Sequence, residues 1–113
     1  MRRGEIWSVA GGPDYAGKPR PALILQDDRF DASDSVTICP FTTAPADAPL
    51  FRVVVEPSQG NGLKAPSRLM ADKLMTVPRT RIGSLIGRLG DEDMVRLSRA
   101  VLVFLGLAGT QPA

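Results

Sequence analysis

The sequence contains no histidine, one cysteine, one tryptophan and one tyrosine among its 113 residues. The missing histidine removes Ser-His-Asp and Cys-His nucleophilic catalysis, imidazole acid–base chemistry and the usual zinc and iron ligand sets. Any catalysis then falls to Arg, Lys, Asp, Glu, Ser, Thr or Tyr15. The single Cys39 excludes a disulfide framework or a cysteine-built zinc site within one chain, and it accords with a reducing compartment. Carboxylates such as Asp14, Asp47, Glu56 and Asp72 are scattered rather than clustered like those of a two-metal nuclease, so no metal or other cofactor is expected. Long apolar runs are missing too. The longest, residues 101–109, falls far short of the roughly 20 residues that a membrane span needs. Behind the basic start Met1-Arg2-Arg3 there is no signal-peptide core, because Gly11-Gly12-Pro13-Asp14 soon follows. A cytoplasmic chain without membrane contact is expected.

What is present suits one globular domain over residues 1–113. Apolar residues make up 43% and charged residues 23%, ordinary values for a chain able to bury a core. The net charge is only +2, but it is unevenly spread. Over residues 64–88, Lys64, Arg68, Lys73, Arg79, Arg81 and Arg88 face a single acid, Asp72, for a net +5. Acids gather at Asp27, Asp28, Asp31 and Asp34 and again at Asp91 to Asp93. Such separation fits a polyanionic partner on one face, and it fits equally a solvated surface of mixed charge.

Hydrophobic pattern supplies the elements. Residues 5–10 alternate around Trp7 and Val9 and read as a strand that stops at Gly11-Gly12-Pro13. Pro21-Ala22-Leu23-Ile24-Leu25 is a short apolar run, the mark of a strand buried on both faces. Residues 35–39 form another, which Pro40 is expected to end; between the two, the Asp-rich residues 26–34 read as a loop whose carboxylates cap their own backbone. Residues 51–56 return to β character, and residues 69–87 read as a pair of bent strands. Met94, Leu97, Val101, Leu102 and Leu105 then form one stripe of a helix, with Asp91 as the expected N-cap and Gly106 or Gly109 as the stop. Five or six short strands and one terminal helix describe an α+β fold, mainly β: a small, strongly curved antiparallel sheet or barrel with a helix against it.

Two strand ends carry candidate chemistry. Arg20 lies between Pro19 and Pro21, so a stiff backbone presents its guanidinium, a planar fork that suits a phosphate. A bland role, capping loop carbonyls at the sheet edge, stays open for it. Pro40-Phe41-Thr42-Thr43 closes the next strand, where both threonines could equally serve ordinary turn chemistry.

Arg3-Gly4-Glu5-Ile6-Trp7, the run Lys18-Pro19-Arg20-Pro21-Ala22-Leu23-Ile24-Leu25, then Pro40-Phe41-Thr42-Thr43, Gly62-Leu63 and Ser67 to Leu74 together resemble, in order and spacing, the MazF/PemK (Kid) family of toxin endoribonucleases. The resemblance implies an SH3-like barrel of the CcdB/PemK type with a C-terminal helix, a homodimer, and cleavage of single-stranded messenger RNA at short motifs. It also implies a cognate antitoxin, expected to be acidic. The family's catalytic arginine and threonine correspond to Arg20 and Thr42, and Lys18, Thr43, Ser67 and Lys73 become candidates for holding substrate. Where some relatives carry His-Glu before the RP motif this chain has Asp14-Tyr15, and where some carry a basic residue it has Met70. The proton-transfer partner is thereby left open among Asp14, Tyr15 and Asp72, and Tyr15 could instead stack on an unpaired base. A second reading is a CcdB-like toxin, sharing the barrel but inhibiting DNA gyrase by protein binding.

Overall fold

A computed structural model describes residues 1–11 and 18–109. Asp14 and Tyr15 therefore lie outside the described residues. Among the described residues seven strands precede one helix: β1 (Glu5–Val9), β2 (Arg20–Ile24), β3 (Ser35–Thr42), β4 (Arg52–Val55), β5 (Ser67–Met70), β6 (Met75–Pro78), β7 (Ile82–Arg88) and α1 (Asp91–Phe104). The sheet runs β4-β5-β3-β2-β1-β7, all antiparallel, with β6 also paired to β3. Seven strands exceed the five or six expected, because single 3₁₀ turns at Ala71–Lys73 and Arg79–Arg81 cut residues 67–88 into three strands rather than two.

The apolar runs separate into two cores by the period-2 rule. Ile6, Leu23, Cys39, Phe41, Val53, Val55 and Leu69 face α1 and meet its Leu97 and Ala100. Val9, Ala22, Ile24, Val36, Ile38 and Val77 form the second core on the opposite face. The unbroken run in β2 thus feeds both faces in alternation, as its composition suggests.

Pro40 does not end its strand, as the sequence leads one to expect; β3 continues to Thr42. The reason is a change of partner. Residues Ser35 to Ile38 pair with β6, whereas Phe41 and Thr42 pair with β5, and Pro40 sits in the gap where its absent N–H is not needed on that side.

The outer strands β4 and β7 are not paired with each other, so the sheet is curved but not closed. The gap is bridged by residues 57–63. Buried Asn61 accepts from the N–H groups of Ser58 (2.9 Å) and Leu63 (3.0 Å) and donates to the Glu56 carbonyl (2.8 Å). The loop so shaped accepts the Arg88 N–H at the Gly60 carbonyl, 2.9 Å away, and thereby holds β7.

The helix begins one residue off expectation. Gly90 is the N-cap and makes no side-chain cap bond, while Asp91, Glu92 and Asp93 occupy the first turn, where carboxylates meet the positive end of the helix dipole. At the other end Gly106 takes φ +72°. Its N–H donates to Val103 O and that of Leu107 to Leu102 O, the paired bonds of a Schellman stop, so of the two glycines the sequence offers, Gly106 ends the helix.

Candidate active site

Arg20 opens β2 and Thr42 closes β3. Register brings them together. Ala22 pairs with Pro40, and that antiparallel register, continued two residues beyond its last pair, brings Arg20 and Thr42 to the same end of the β2–β3 ladder. On the other side of each strand, Arg20 pairs with Val9 and Thr42 with Arg68, which in turn pairs with Val54. The row Val9, Arg20, Thr42, Arg68, Val54 therefore crosses five strands on one side of the sheet.

The Thr42 hydroxyl oxygen accepts the Ala44 N–H at 3.1 Å. This is the turn chemistry expected of it, and it has a second effect. With a lone pair engaged, the hydroxyl hydrogen is left to donate outward. Arg20 is exposed and lines a small cavity of about 40 Å³ together with Pro21, Pro40 and Phe41, and Arg81 is on the same wall.

The remaining candidates are distributed less tightly. Lys18 and Thr43 are exposed immediately before β2 and after β3, on the Arg20–Thr42 end. Ser67 is buried, and its hydroxyl donates to the Ala65 carbonyl at 2.9 Å. Lys73 is exposed in the turn after β5. Asp72, in the same turn, accepts from Arg52 Nε at 2.7 Å and from Nη2 at 2.9 Å, a fork-to-fork pair. That hydrogen bonding holds the Asp72 carboxyl below its ordinary value of 3.8, which makes it a weak proton acceptor. The pattern that could have announced this pair is a β4 arginine opposite Met70 at the end of β5, visible only once register is known.

The basic stretch of residues 64–88 does not form one face. Arg79 donates to the exposed carbonyls of Asp31 and Ser33, Arg81 lines the same cavity as Arg20, Arg68 stands beside Thr42, and Arg88 borders a groove along α1 with Arg3 and Arg99. Cys39 is fully buried in the helix-side core, and burial pushes its thiol up to about 12. Among the described residues no three His, Cys, Asp or Glu side chains converge as metal ligands would, and no helix is long and apolar enough to cross a membrane.

Residues 2–105 match the family model of the PemK-like, MazF-like toxins of type II toxin–antitoxin systems. The chain belongs to that family. A probable endoribonuclease MazF of Mycolicibacterium smegmatis is 57% identical over 109 residues, covering 96% of this chain and all of the relative. The solved structure of the Mycobacterium tuberculosis toxin MazF-mt6 superposes with a TM-score of 0.78 at 28% identity, over 93% of this chain and 99% of that one. A mycobacterial endoribonuclease solved with its cognate antitoxin has the same fold, with a TM-score of 0.81 at 22% identity over 97% of this chain and 99% of that one. In PemK/MazF terms the SH3-like expectation holds, with the opening between β4 and β7 spanned by a loop rather than by strand pairing. The gyrase-binding alternative finds no support among these relatives.

Proposed function

We propose that this PemK/MazF toxin is an endoribonuclease that cleaves single-stranded messenger RNA at short motifs, with Arg20 and Thr42 as its catalytic residues. What supports this reading is that Arg20 opens β2 and Thr42 closes β3 at the same end of the β2–β3 ladder, with the Thr42 oxygen accepting the Ala44 N–H, which leaves the hydroxyl able to donate. The 2′-hydroxyl of the substrate loses its proton and attacks the adjacent phosphorus, the bond to the 5′-oxygen breaks, and that oxygen takes a proton. The products are a 2′,3′-cyclic phosphate and a free 5′-hydroxyl. Arg20 neutralises the charge that builds on the phosphoryl oxygens and Thr42 donates a hydrogen bond to them. The nucleophile resides in the RNA, so no bound metal is required to make one. Asp72 is tied to Arg52, which leaves Asp14 and Tyr15 as the preferred proton-transfer candidates.

The toxin works in the cytoplasm as a homodimer restrained by an acidic antitoxin. Exposed Leu102, Val103, Phe104, Leu105 and Leu107 at the end of α1, with Leu50 beside Phe51, support the dimer, since they form an uncovered apolar strip. Phe51 and Phe104 touch within this apolar patch, with ring centroids 5.8 Å apart.

The test incubates purified protein with a long RNA and sequences the fragment ends. Cleavage should persist in excess chelator and fail at a bond whose 5′-side sugar is deoxyribose. Arg20→Ala should lose a factor on the order of 100 or more in rate with its fold intact, because a preorganised donor at a phosphoryl transition state is worth roughly 3–4 kcal/mol. Normal cutting by that variant would make Arg20 a structural cap.

A further inference from the structure

The row that joins Arg20 to Thr42 continues to a third polar side chain, Arg68, the direct register partner of Thr42. Arg68 is half-buried, and its guanidinium makes no hydrogen bond or ion pair among the described residues. A guanidinium partly withdrawn from water without a partner is costly unless something else supplies one. It borders an open hollow of about 280 Å³ on the side away from Arg20. Two other arginines lie there, but both are occupied: Arg52 by Asp72, and Arg96 by Asp93 (2.8 Å) and the Val54 carbonyl (2.9 Å). Asp47 also lines the hollow, so its charge is three arginines against one acid, and Arg68 is the one of the three whose side chain has no bond to a carboxylate or carbonyl among the described residues.

We infer that Arg68 binds the backbone phosphate next to the scissile one, so that the RNA is gripped at two successive phosphates across the β2-β3-β5 row. This rests on the nuclease reading. Arg20 and Thr42 hold the reacting phosphate; Arg68, one strand further along, holds its neighbour and fixes the strand's path across the site. It is a positioning residue: its contact forms on binding and is unchanged in the transition state, so its loss falls on KM rather than on kcat. Arginine suits this because its fork takes two phosphoryl oxygens at once.

The experiment uses short oligoribonucleotides spanning a bond first mapped on long RNA, each carrying one uncharged methylphosphonate at a non-scissile position. Arg68→Ala should raise KM about 10- to 100-fold, the worth of a charged hydrogen bond, with kcat nearly unchanged, and Arg68→Lys should recover part of the loss. One methylphosphonate position, adjacent to the cut, should harm the wild type by the same factor and harm Arg68→Ala little. With an uncleavable deoxy-substituted oligonucleotide, the dependence of log affinity on log salt should become shallower by about 0.7 in the variant. Unaltered KM and salt slope in a folded Arg68→Ala protein, beside a wild type that cuts RNA, would overturn the inference and leave the nuclease reading standing. A kcat loss with unchanged binding would also overturn it. A wild type that cuts no RNA would overturn both.

Discussion

Gly87 offers a direct test of how the open side of the sheet is held. A Cβ at this position would lie 2.4 Å from the backbone C and O of Asn61 and 2.6 Å from the Gly60 carbonyl oxygen. These are main-chain atoms, so no side-chain rotation relieves the overlap. In Gly87→Ala, β7 and the 57–63 loop must part, stretching the Arg88 N–H bond to Gly60 O, which is 2.9 Å long. Overpacking of this kind costs about 1–3 kcal/mol and the weakened bond about 1, together about 2–4 kcal/mol. For 113 residues the unfolding entropy is about 0.24 kcal/mol per degree, so 3 kcal/mol lowers Tm by about 12 °C. Gly60→Ala is the matched control. It lies in the same loop, and its Cβ would meet nothing closer than Ser58 Oγ at 3.9 Å. It should change stability by less than about 1 kcal/mol, and a reduced unfolded-state entropy could make it a gain. The two variants and the wild type should be melted at one protein concentration, because dimerisation would make Tm concentration-dependent. A Gly87→Ala protein melting within about 2 °C of wild type, or a Gly60→Ala protein losing as much, would refute the clamp.

Further outcomes follow from the side-chain chemistry. The Asp72 carboxyl titrates below its ordinary value when folded because of Arg52, so the pair stabilises at and above the pH where an unfolded aspartate ionises and the benefit is lost as pH falls through the folded value. Asp72→Asn should therefore be about 2 kcal/mol less stable near pH 7 in urea titrations, with the gap to wild type closing on acidification below about pH 4. Cys39, fully buried with its thiol pushed up to about 12, should resist a thiol reagent at pH 8 in the native protein and react completely in denaturant. Phe104→Glu should shift sedimentation from dimer to monomer at micromolar concentration while helix content by circular dichroism stays unchanged.

Much of the fold could be read from residue order because its signals are local. Ala22-Leu23-Ile24 has the continuous apolar character of a strand serving two cores, and the stripe through Leu97 and Val101 has helical period. Arg20 and Thr42 stand out because prolines precede both strand ends. What escaped the sequence depends on contacts between distant segments. Pro40 reads as a terminator until β3 is known to change partners beside it. Asn61 is an ordinary loop residue until its side chain is seen shaping the loop that holds β7. Asp72 is a plausible acid or base until Arg52 arrives from β4. The basic run misleads for the same reason, since successive turns and strands send its members to different faces.

The sharing of β3 among β2, β5 and β6 bears on how the site moves. A strand hydrogen-bonded to three others cannot detach piecemeal, so the amides around Ile38 and Cys39 should exchange with deuterium only when the whole chain unfolds. Thr42 is the last residue of that strand, and Arg20 begins its neighbour. Among the described residues the scaffold beneath the two therefore supplies no slow opening step, and under the proposed mechanism the bending that brings the 2′-hydroxyl into line falls to the RNA rather than to these strands.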